Sequence, residues 1–160
     1  MKRGSTWFLR AVLVLLGLIA AAVCVFGLPP IFRGASSEYP GARVLLYFLI
    51  AGITISVVPF FIALYQAWKL LNYIDSNRAF SQISVNALGS IKYCSIAMSI
   101  CYAVGIPYLF HVAQLDDAPG LGLIALAFAS SPLVVATFAA VLEKLLQSAI
   151  NIKSENDLTI

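Results

Sequence analysis

The residues of this chain that can titrate, coordinate or pair are few: ten Lys/Arg, seven Asp/Glu, one His and three Cys. None is spaced as a catalytic set. His111 stands alone, without a Cys/Asp/Glu cluster, and reads as an interfacial side chain rather than a metal ligand or pH sensor. The neighbouring Asp116 and Asp117 fall well short of the six to eight oxygens a Ca²⁺ ion takes, so a solvated turn is expected there. Cys94 and Cys101 can share a helix face, but seven residues of helix place them ~10 Å apart, beyond the roughly 7 Å Cα limit of a disulfide. Together with Cys24 they read as small packing residues. No nucleophile–base pair, phosphate loop or intramembrane-protease motif is present. The residues predict a chain that is not an enzyme and carries no cofactor and no metal.

The polar residues that remain gather in two stretches, 69–92 and 143–160. Four of them, with Phe80, are candidate interaction residues. Arg78 offers the planar fork that suits a carboxylate, Phe80 caps a hairpin, Lys92 adds a second cation, and Glu155 and Asp157 supply counter-charges. The alternative role for the same five is to lock the tail to the hairpin. No basic run suggests direct nucleic-acid binding.

The elements that must position these residues follow from composition. The chain is 61% hydrophobic and 11% charged, with a mean hydropathy of +0.95, against roughly 25% charged for a soluble domain. Four apolar segments, 11–28, 44–68, 93–110 and 121–142, contain no Lys, Arg, Asp, Glu or His. Each is close to or above the ~20 residues a helix needs to cross a ~30 Å hydrocarbon core. The expected fold is an all-α membrane protein, one domain over residues 1–160 with four transmembrane helices. The first apolar run, 18 residues long, exceeds the roughly 7–15 of a signal-peptide core and is read as an uncleaved span. Lys2, Arg3, Arg10, Lys69, Arg78, Lys92, Lys144 and Lys153 fall on one side of these spans, and only Arg33 and Arg43 on the other. By the positive-inside rule both termini and the middle loop are cytoplasmic, in a plasma membrane. Trp7 and Trp68 then lie at the inner interface.

The second, third and fourth spans are expected to extend into the cytoplasm. The pattern beginning at Arg43 continues to about Ser76, Asn77 tolerates a left-handed helix end, and Ser81 offers an N-cap. Phe80 and Val85 occupy the positions of a hydrophobic staple. Residues 69–92 therefore form a helical hairpin. Leu142, Leu145, Leu146, Ala149 and Ile150 make one apolar stripe beyond the fourth span, expected to pack on Leu70, Leu71, Ile74 or Leu88. Residues 151–160 read either as a disordered tail or as a segment docked on Arg78 and Lys92. Segment 29–41 reads as a Pro/Gly/Ser loop, and Pro59 and Pro132 as ordinary kinks. Small residues at four-residue spacing, such as Ser95, Ser99 and Ala103, let helices approach closely. Intrachain packing is the favoured use of these ridges, with a homo-oligomer face as the alternative.

Asn77-Arg78-Ala79-Phe80-Ser81, Ile91-Lys92-Tyr93, the turn Asp116 to Gly120 and the closing Ile152 to Ile160 carry a resemblance over roughly the last hundred residues. The chain resembles a bacterial family of small four-span membrane proteins catalogued as a domain of unknown function. Membership implies a multi-pass plasma-membrane protein without assigned chemistry, and a small helix-turn-helix regulator as partner. The leading expectation is a non-enzymatic interaction or regulatory protein that binds a cytosolic partner through 69–92 and 143–160. The alternative is a small channel or transporter component, disfavoured because uncharged spans offer no ion path.

Overall fold

The computed structural model describes residues 3–76 and 78–157. Helix α1 (Arg3–Ala22) passes through a π-helical turn (Val23–Gly27) into α2 (Leu28–Glu38), and a 3₁₀ turn (Pro40–Ala42) leads into α3 (Arg43–Asp75). Helices α4 (Gln82–Leu115) and α5 (Pro119–Asp157) complete the chain. Four helical stretches, Thr6–Glu38, Pro40–Asp75, Gln82–Leu115 and Pro119–Asn156, are long and apolar enough to cross a membrane.

The segment expected as a loop from Pro29 is helical to Glu38. Pro29 and Pro30 cannot donate the backbone bonds that an α-helix needs at those positions. The π turn just before them, where the Leu28 N–H reaches the carbonyl of Val23, widens the helix instead of ending it. Pro132 is accommodated differently in α5. Its missing N–H would have bonded the carbonyl of Phe128, and the Ser131 hydroxyl donates to that carbonyl at 2.8 Å.

Helices α3, α4 and α5 have 33, 34 and 39 residues, or roughly 50, 51 and 58 Å at 1.5 Å per residue. All outrun a ~30 Å core by about 20 Å or more. Packing is serial: α1 lies on α3, α3 on α4 and α4 on α5, while α1 and α5 make at most marginal contact. Small residues set the tightest crossing. A Cβ on Gly52 would run into the backbone carbonyl oxygen of Cys101, and one on Gly105 would run into the side chain of Leu49. Ser99, on the expected small-residue ridge of α4, donates to the carbonyl of Ala129 at 2.6 Å.

The α3–α4 and α4–α5 reversals are closed by backbone bonds in the Schellman pattern. Arg78 N–H donates to Tyr73 O at 2.9 Å, and Ala118 N–H to Ala113 O at 2.9 Å. In the second, Asp117 takes the left-handed conformation with φ 53°, which Asp tolerates better than most residues. Asn77, expected to do the same in the first, lies outside the described residues. Ser81 is the N-cap of α4 as its sequence suggests, but its hydroxyl caps no amide. It lies 3.3 Å from the hydroxyl of Ser84, which is fully buried under the turn.

Candidate functional site

The two ends of the bundle differ in chemistry. The acidic end holds a core of Ala42, Leu46, Tyr108 and Val112, against which Phe32 and Leu121 pack. There the Tyr39 hydroxyl donates to Asp116 at 2.6 Å, joining the α2–α3 corner to the α4–α5 turn. That bond, with burial and the nearby carboxylates adding to it, pushes the Tyr39 pKa up to about 12. His111 is half-buried here, and no cluster of three or more metal-ligating side chains occurs among the described residues.

The basic end carries the candidate residues and two ion pairs that pattern reading missed. Arg10 of α1 donates to Asn72 Oδ1 and Asp75 Oδ2 of α3, both at 2.7 Å, and its guanidinium lies 5.5 Å from the Trp68 ring centre. Lys92 Nζ lies 2.6 Å from Glu143 Oε2, joining α4 to α5. The Glu143 carboxylate fits against Gly89, where a Cβ would come within 3.2 Å of it. Lys92 thus meets the carboxylate at the start of the α5 extension instead of one in the tail. A signal for both pairs existed, since each joins charges at the same ends of neighbouring antiparallel spans.

Beyond these pairs lies a groove of about 340 Å³ between the α3–α4 hairpin and the α5 extension. Leu70, Ile74, Phe80, Leu88, Leu145 and Leu146 are among its lining residues. Leu70, Ile74 and Leu88, three of the four partners expected for the apolar stripe, therefore line the groove with it, but they do not close over it. Leu145 is 62% exposed and Phe80 65%. Phe80 lines this groove, and Val85, its partner by staple position, is buried. Arg78 is exposed beside the groove in the turn that places Phe80. The tail continues α5 as helix to Asp157. Glu155 is exposed on it, six residues past the groove-lining Ala149, or roughly 9 Å along the axis. The side chain of Asp157 and residues 158–160 lie outside the described residues.

Residues 30–160 match a family described as "Protein of unknown function (DUF2975)". The chain belongs to this family. It is also 47% identical, over all 160 residues and the full length of both chains, to the "Uncharacterized membrane protein YoaS" of Bacillus subtilis (strain 168). No solved structure matches the chain. Four apolar helices, family and relative together make it a bacterial multi-pass membrane protein of unassigned chemistry.

Proposed function

We propose that the protein is a non-enzymatic membrane protein that holds a cytosolic partner at the inner membrane surface, with the hairpin, α5 extension and both termini in the cytoplasm. The observation that carries this reading is the open groove beyond the ion pairs, lined by Phe80 and Leu145. Exposed aromatic and aliphatic side chains are expected where a span meets lipid, but these two lie past the end of the apolar spans. An amphipathic helix laid in such a groove buries its apolar face there. Arg10 and Lys92 are engaged by Asp75 and Glu143, and of the other charges in these segments Lys69, Arg78, Lys144 and Lys153 outnumber Glu155 and Asp157. The partner segment therefore carries carboxylates beside its apolar face. A small helix-turn-helix regulator is the partner class that the family resemblance implies.

The test is capture of cytosolic proteins on the chain reconstituted in nanodiscs. A protein retained by the wild type and lost on Phe80→Asp or Leu145→Asp, but kept on Leu123→Ala at the acidic end, supports the reading. Equal retention by all four chains, or retention by none, overturns it.

A further inference from the structure

A second concavity, independent of the groove, lies within the apolar part of the bundle. It measures about 420 Å³, in the range of small-molecule sites. Helices α3 and α4 form its floor, and Leu16 of α1 and Pro132 of α5 stand on its two sides. Because α1 and α5 scarcely meet, the space between them stays open to lipid. Towards the acidic end it reaches Tyr102 and Phe128, whose rings lie 4.9 Å apart. Towards the basic end it reaches Ile91 and Ala67, the residues just before Lys92 and Trp68.

One lining residue is out of keeping with its surroundings. Ser95 is 1% exposed, and its buried hydroxyl has no hydrogen-bond partner. Thr6, at the basic end of α1, shares this condition, but other Ser and Thr hydroxyls deeper in the spans are satisfied within the protein. Thr54 bonds the carbonyl of Ile50, Ser56 that of Ile53, Ser131 that of Phe128 and Thr137 that of Leu133. A buried donor left unbonded in an apolar medium is costly, and in hydrocarbon no water relieves it. Ser95 lines the cavity, and a turn of its side chain about Cα–Cβ brings the hydroxyl to an acceptor supplied there.

We propose that this cavity binds one acyl chain of a glycerophospholipid from the leaflet at the basic end, its ester carbonyl accepting a hydrogen bond from Ser95. The depth is right for an ester. The Lys92–Glu143 pair and Trp68 mark the headgroup boundary. Ser95 lies three residues further in, or ~4.5 Å along the helix, where the interfacial layer gives way to hydrocarbon. The chain then runs along the α3–α4 floor towards Tyr102, seven residues and ~10 Å beyond Ser95. Any lipid can fill a crevice loosely; the fixed donor turns this one into a site that recognises a carbonyl.

Native mass spectrometry of the full chain, released from vesicles of diester phosphatidylglycerol or of its diether analogue, separates the two. Both lipids have the same headgroup and chains, and only the diester has the carbonyl. The wild type retains the diester about fivefold better than the diether, the worth of one neutral hydrogen bond. In Ser95→Ala that preference vanishes, and in Ala67→Phe, which fills the cavity, retention of both lipids falls. Thr137→Ala, on a half-turn exposed to lipid and bonded to its own helix, keeps the preference. Equal retention of diester and diether by the wild type overturns the proposal, as does a preference that survives Ser95→Ala. Displacement of the diester by an equimolar long-chain isoprenoid quinone also overturns it, because the site would then be built for a ring carbonyl.

Discussion

Adding a single methyl group at Gly52 is the sharpest test of the packing. A Cβ there meets the carbonyl oxygen of Cys101, which belongs to a helical backbone and cannot swing aside as a side-chain tip can. Helices α3 and α4 must part by something on the order of 1 Å, a gap that forfeits a quarter to a half of each affected dispersion contact. Summed over the crossing, the loss is about 2 kcal/mol, inside the roughly 1–3 kcal/mol typical of overpacking. Such a change is a factor of about 30 in an equilibrium constant. Unfolding of purified Gly52→Ala in mixed micelles with rising SDS, followed by tryptophan fluorescence, reads it directly. Gly34→Ala is the control, since nothing lies within 4 Å of a Cβ at that position, and it leaves the midpoint in place or raises it slightly because alanine favours helix. A Gly52→Ala midpoint within error of the wild type would show that α3 and α4 do not cross where the structure puts them.

Further expectations follow from the two ends and from the orientation. Reporters fused after Ile160 and at Asn77 report the cytoplasm and one at Ser37 the outside; an external signal after Ile160 reverses the orientation. Glu143→Ala leaves Lys92 without its partner and destabilises the α4–α5 contact, whereas Lys92→Ala with Glu143→Ala together recovers part of the loss in a double-mutant cycle. Additive losses would show the pair to be uncoupled. At the acidic end, the Tyr39 pKa is raised from 10.0 to about 12, so its bond to Asp116 contributes fully below pH 10 and is lost as pH rises through about 12. The tyrosinate absorbance missing from Tyr39→Phe therefore develops late in an alkaline titration; ionisation at the ordinary pH would refute the clasp. A cycle on Arg78→Ala with Glu155→Ala tests whether hairpin and tail form one surface, and strictly additive effects separate them.

Much of the fold was legible because a bilayer leaves one choice: each long uncharged run must be a helix, since no other single segment satisfies its own backbone in hydrocarbon. The hairpin between α3 and α4 was legible from the helical pattern that runs on to Ser76 and from Ser81 as the next N-cap, and the α5 extension from the stripe through Leu146. The helical course of 29–38 was not, because paired prolines ordinarily mark an end, and a π turn that absorbs them has no pattern of its own. The candidate site was legible in part. Phe80 and the Leu145 stripe do come together, but hydrophobic periodicity shows which face is apolar and not whether a neighbour covers it. The partner of Lys92 was not legible for a different reason: the sequence offers several carboxylates to it, and only the packing of α4 on α5 sets Glu143 at its depth.

Serial packing also dictates the order in which this protein can be built. Each spanning helix packs on its neighbours in sequence, α3 far more on α4 than on α1, and no contact of consequence joins the first to the last. Helices α4 and α5 thus find a docking surface already in the membrane as they leave the ribosome, while α3 gains its main partner only when α4 follows. Short sequence separation between partners keeps loop closure inexpensive and assembly fast. It also means that a chain interrupted after Leu115 has already made the Gly52 crossing, so α3 and α4 can stand as a unit before α5 arrives to meet Lys92.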